Sequence, residues 1–88
     1  MAFSKEIVLM IGGTEFAFRV ETSDYNKYIN DLKPDNKITP SVNFIRATLM
    51  DKTRRPELDE ICDQGLAVDI AGMLIEEFRP KLEIAVKK

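Results

Sequence analysis

The single cysteine of this 88-residue chain, Cys62, is the side chain closest to nucleophilic chemistry, and its surroundings decide against that use. A reactive thiolate needs a neighbouring base or cation, whereas Glu60, Ile61 and Asp63 are acidic or apolar. The chain contains no histidine. The side chain most used as a general acid or base near neutral pH, and the commonest metal ligand, is therefore missing. Cys62 is read as a core thiol. Glu57, Asp59, Glu60 and Asp63 crowd one short segment, but a calcium loop needs oxygen ligands at alternating positions around a glycine. Lys52, Arg54 and Arg55 stand where such ligands would begin. A solvated acidic face is expected instead. Gly12-Gly13 lacks both a following Lys-Ser or Lys-Thr and a third glycine opening a helix, so it reads as a turn and not as a phosphate cradle. Ser4, Ser23 and Ser41 have no base nearby in sequence, and two of them fall where helix caps are expected. The expectation is a protein that is not an enzyme, with no cofactor and no metal site.

Bulk composition narrows the partners. Thirteen Lys and Arg against fifteen Asp and Glu give a formal net charge of -2, leaving no cationic excess for phosphates or anionic lipid. Lys52, Arg54 and Arg55, and Lys87 with Lys88, are not interleaved with stacking aromatics, and both groups read as solvated surface. With 44% hydrophobic and 32% charged residues, the chain has a globular composition and a length suited to one domain, residues 1–88. A lone cysteine and the absence of a signal-like start point to a cytoplasmic protein. The longest apolar run, residues 7–11, is too short to span a bilayer. Neither nucleic acid nor membrane is an expected partner.

The elements that must position any functional side chain follow from periodicity. Residues 7–11 are continuously apolar, Gly12-Gly13 suits a primed turn, and Phe16, Phe18 and Val20 then alternate with Glu15, Ala17 and Arg19, which predicts a β-hairpin with one buried and one wet face. At Glu21-Thr22-Ser23-Asp24 the period changes, and Tyr25, Tyr28, Ile29 and Leu32 follow at helical spacing until Pro34. Thr39-Pro40 predicts a second helix start, with Thr39 as cap and Pro40 at the first helical position. Val42, Ile45 and Leu49 form its stripe, ending near Met50 or Asp51. A third helix is predicted from the Thr53 to Pro56 region to Gly65. The strongest pattern, Leu66, Ala67, Ile70, Ala71, Leu74, Ile75 and Phe78, predicts a central helix ended by Pro80. Gly72 inside it is expected to permit close packing of another backbone. Residues 82–87 alternate as an edge strand would. The expected class is α+β: an N-terminal hairpin, three to four helices, and a C-terminal strand joining the hairpin in a small sheet.

Tyr25 and Tyr28 are the more suggestive side chains, since tyrosine combines a large contact area with a polar tip and few rotatable bonds. Either could instead close the core. Phe44 joins them as a candidate protein contact on the same physical grounds.

Taken together, Ser23-Asp24-Tyr25-Asn26-Lys27-Tyr28-Ile29-Asn30, Pro34-Asp35-Asn36-Lys37-Ile38-Thr39-Pro40 and Asn43-Phe44 give the chain a resemblance to the small tail assembly chaperones of tailed bacteriophages and prophages. The likeness includes the glycine-turn hairpin, the Ala71-Gly72 helix with Glu76-Glu77-Phe78 and Pro80, and a final strand. The resemblance implies a protein of the bacterial host cytoplasm that binds the tape-measure protein and keeps it soluble until tail tube subunits polymerise around it, with the tail tube protein as a second candidate partner. It supplies no catalytic residues. Surplus apolar surface on so short a chain also leaves room for a homo-oligomer, as a dimer or a ring. The alternative is another small protein-binding module, either an antitoxin-like regulator or a minor tail component, with the C-terminal strand available for strand addition.

Overall fold

Gly12 and Gly13 reverse the chain between two strands. In the computed structural model, which describes residues 3–80 and 82–88, their φ angles are 58° and 82°. A two-residue primed turn requires that region, and residues with a Cβ resist it. β1 (Ser4–Ile11) and β2 (Thr14–Glu21) pair antiparallel, from Ile11 opposite Thr14 to Ser4 opposite Glu21. This register puts Ile7 across from Phe18 and Leu9 across from Phe16 on the core face, where Ile7, Phe16, Phe18 and Val20 are buried. Each such side chain contributes about 1.5–3 kcal/mol by leaving water. Glu15, Ala17 and Arg19 are exposed on the other face, as their alternation predicts.

α1 (Thr22–Asp31) follows without a loop. Its start is fixed by Asp24, whose Oδ2 accepts the Glu21 N–H at 3.0 Å, and the carboxylate also suits the positive end of the helix dipole. The helix stops before Pro34, and Lys33 and Asn36 exchange backbone hydrogen bonds of 3.2 and 3.1 Å across the turn.

α2 (Ile38–Thr48) starts earlier than the Thr39 cap predicts. Pro40 consequently lies in the first turn but not at its first position, and its missing N–H still falls among those a helix start leaves unbonded. Ser41 explains the shift: its N–H and its Oγ both donate to the Lys37 carbonyl, at 3.2 and 2.7 Å. At the other end, Lys52 Nζ donates to the Arg46 and Ala47 carbonyls at 2.7 and 3.1 Å, a favourable place for a cation. The chain then runs along β2, with Leu49 bridging Phe18 and the Met50 N–H donating to the Ala17 carbonyl at 3.0 Å.

A 3-10 turn over Lys52–Arg54 leads into α3 (Arg55–Ile61), with Pro56 in its first turn. A π turn, Cys62–Leu66, separates α3 from α4 (Ala67–Phe78), and Gly65 breaks the helical path there at φ 91°. α4 packs chiefly on α2 and buries Ala67, Ile70, Ala71, Leu74 and Phe78. It is the central helix its apolar spacing predicts.

Two expectations are corrected. The strand predicted over residues 82–87 is not formed among the described residues: the sheet contains β1 and β2 alone, and residues 82–88 follow no regular structure. An alternating pattern makes a segment compatible with a strand, but only pairing makes it one, and here the segment pairs with neither β1 nor β2. Arg79 is extended (φ −71°, ψ 130°), as the residue before a proline prefers, and carries the chain onward from the helix. Gly72 likewise does not admit a neighbouring backbone from this chain. A Cβ placed there would meet nothing within 4 Å, because the position lies on the solvent side of α4.

Candidate functional site

α1 and α2 bring Tyr28 and Phe44 together. Their ring centroids lie 4.9 Å apart at 32°, a tilted arrangement favoured by the ring quadrupoles. Both side chains are buried, and the Tyr28 hydroxyl meets Ser41 Oγ at 3.3 Å. Tyr28 thus has the hydrogen-bond partner that a buried phenol requires. Tyr25 lies one turn earlier and faces elsewhere. It is half-buried and stacks on Phe78 at 5.8 Å, with Phe3 on Phe78 at 5.2 Å. The three candidate contacts therefore fall in two groups, one inside the α1/α2 seam and one at the end of α4. A shallow cleft of about 40 Å³ opens over the seam, lined by Asp24, Lys27, Tyr28, Asp31, Phe44 and Ala47. Lys27 and Asp31 pair across its rim at 2.8 Å.

A wider apolar surface lies along β1 and α4. β1 presents Val8 and Met10 outward, 58% and 62% exposed, beside Ala17 of β2. Between β1 and α4 runs a groove of about 270 Å³ lined by Leu9, Met10, Ile11, Leu66, Ile70 and Met73. The continuous apolar run 7–11 does not by itself separate its buried residues from its exposed ones. The signal that separates them lies in the partner strand: Glu15, Ala17 and Arg19 make one face of the hairpin wet, so the β1 residues sharing that face are wet too.

The charged side chains serve the scaffold. Asp59 accepts from Arg46 Nε at 2.8 Å, linking α3 to α2, and stands 3.8 Å from Arg55. Arg54 donates to the Glu15 carbonyl, lies 4.2 Å over the Phe16 ring and pairs with Glu57 at 3.2 Å. Lys52, Arg54 and Arg55, read from sequence as merely solvated, each hold a named partner. Glu57 and Asp59 of the acidic segment are likewise engaged. Cys62 is half-buried, and burial, followed by the negative charge of Asp59, pushes its thiol above the ordinary range despite the opposing influence of Arg46. Such a thiol stays protonated and weakly nucleophilic at neutral pH.

The described structure is that of a small α+β domain whose hairpin and last helix carry exposed apolar side chains. The chain belongs to the phage tail assembly chaperone family, whose model matches residues 7–88. It is also similar to an uncharacterized 11.3 kDa protein in the lys 3' region of Haemophilus phage HP1 (strain HP1c1). The two are 28% identical over 81 residues, covering 92% of this chain and 79% of the relative. No solved structure matches the chain. No helix of the described residues is long and apolar enough to cross a membrane.

Proposed function

We propose that this chain acts in the host cytoplasm as a holding chaperone for the tape-measure protein, covering apolar stripes of that long helical protein until tail tube subunits replace it. The observation that carries the reading is the family match over residues 7–88 on a domain that leaves Val8, Met10, Leu66 and Met73 exposed. Surface of this kind suits an apolar partner, and the surrounding charges keep the complex in solution. Holding requires only that the chaperone prefer the unassembled partner, so no energy source is needed. Tyr25 is the candidate contact with side-chain surface still open to a partner. Tyr28 and Phe44 would contribute through the cleft above them.

The test is co-expression with the tape-measure protein encoded in the same phage genome, followed by affinity capture and a sedimentation assay of solubility. The expected result is capture and rescue by the native chain, weakened at least tenfold by Met10→Asp with Met73→Asp, or by Tyr25→Ala, in variants that keep the native circular dichroism. Absence of capture with the native chain, with the tape-measure protein equally insoluble in its presence, overturns the reading.

A further inference from the structure

The two outer edges of the hairpin differ. β2 is covered, because Leu49 bridges Phe18 and the Met50 N–H bonds to the Ala17 carbonyl. β1 has β2 as its sole strand neighbour among the described residues, so alternate N–H and C=O groups along its outer edge remain open for pairing. Edges of this kind are normally guarded by charge, proline or a bulge. β1 carries Lys5 and Glu6 at its start and then five apolar residues, 7–11, with no such guard.

The same chain holds a segment matched to that edge. Leu82, Ile84 and Val86 alternate with Glu83, Ala85 and Lys87, and the three apolar side chains are 75%, 91% and 83% exposed. Beside β1 lies the groove lined by Leu9, Ile11, Leu66, Ile70 and Met73, which would receive every second side chain of a strand added there. A helix cannot satisfy an open strand edge, since its own backbone groups are already paired; an extended segment can.

We propose that residues 82–86 of one copy add as a third strand to the β1 edge of a second copy, setting Leu82, Ile84 and Val86 against the groove between β1 and α4. Each chain then supplies one donor segment and one acceptor edge, the balance that a closed dimer or ring of identical subunits requires. Within one copy the segment pairs with neither strand of the sheet among the described residues, although α4 ends beside the start of β1, where Lys5 Nζ donates to the Glu77 carbonyl at 2.7 Å. Exchange of an element between identical copies reproduces the contacts it could make at home. The inference does not depend on the tape-measure reading, because it concerns copies of this chain alone.

The test uses the purified full chain. Sedimentation equilibrium is expected to give a mass at least twice the 10.1 kDa of one chain, falling to that of one chain in Ile84→Asp and unchanged in Glu83→Gln, whose side chain faces away from the groove. The location of the segment is read by mixing isotope-labelled native chain with unlabelled chain carrying Cys62→Ser and a nitroxide at Glu83→Cys. Broadening of the labelled β1 amides in the mixture supports exchange. A monomeric native chain, an Ile84→Asp variant that still associates, or labelled β1 amides that stay sharp in the mixture overturns it.

Discussion

The Tyr28 hydroxyl lies 3.3 Å from Ser41 Oγ, and Ser41 Oγ in turn donates to the Lys37 carbonyl at 2.7 Å. One buried phenol is thereby tied to the start of the next helix, and the α1/α2 seam is closed by a polar contact as well as by the Tyr28–Phe44 ring pair. Tyr28→Phe removes the hydroxyl alone and is expected to cost about 0.5–1.5 kcal/mol. Tyr28→Ala or Phe44→Ala opens a cavity and is expected to cost about 3–5 kcal/mol. Urea denaturation followed by circular dichroism measures both. A neutral Tyr28→Phe would mean that the Ser41 contact adds no net stability, and a loss of partner binding in either alanine variant is meaningful only where that variant remains folded.

The two helical-region glycines should respond in opposite directions. At Gly72 a methyl group meets open space on an ordinary helical backbone, so Gly72→Ala is expected to stabilise the isolated protein by about 0.5–1 kcal/mol. At Gly65, where φ is 91°, Gly65→Ala is expected to destabilise by about 1–2 kcal/mol through the clash between Cβ and the carbonyl in left-handed backbone. Thermal melts of the two variants beside the native chain check this. A destabilising Gly72→Ala would place an uncounted neighbour against α4 in the free protein.

For Cys62, burial and Asp59 raise the thiol above its ordinary value. The alkylation rate with iodoacetamide should therefore rise with pH along a curve whose midpoint lies above that of a free cysteine. A group whose folded pKa is raised stabilises the fold fully below its unfolded pKa, and that contribution disappears as pH climbs through the folded value. Native stability should accordingly decline in the alkaline range, and Cys62→Ser should flatten that part of the profile. A midpoint below that of free cysteine would show that Arg46 outweighs burial and Asp59.

Most of the fold is legible in residue order because local chemistry dictates it. The glycine pair forces the hairpin, Phe16, Phe18 and Val20 choose its buried face, Asp24 starts α1, and Gly65 divides α3 from α4. What escapes sequence reading depends on partners distant along the chain. Thr39 has the right chemistry for a cap, yet Ser41 reaches back to the Lys37 carbonyl and advances the start of α2. The alternation over residues 82–87 describes a strand, but nothing local says which edge it pairs with, and its own copy leaves it unpaired. Tyr25, Tyr28 and Phe44 look alike as candidate contacts. The fold separates them by burying Tyr28 and Phe44 between helices and leaving Tyr25 half-covered on Phe78.

Both tyrosines of the chain sit on α1, and the sequence has no tryptophan. The near-ultraviolet emission of the native protein consequently comes from one helix, with Tyr25 stacked on Phe78 and Tyr28 set against Phe44. That emission is an intrinsic optical gauge of whether α1 is seated, separate from far-ultraviolet signals that sum over every element. Non-coincident melting of the two signals would reveal α1 lifting away while the hairpin and α4 persist, with no extrinsic dye attached.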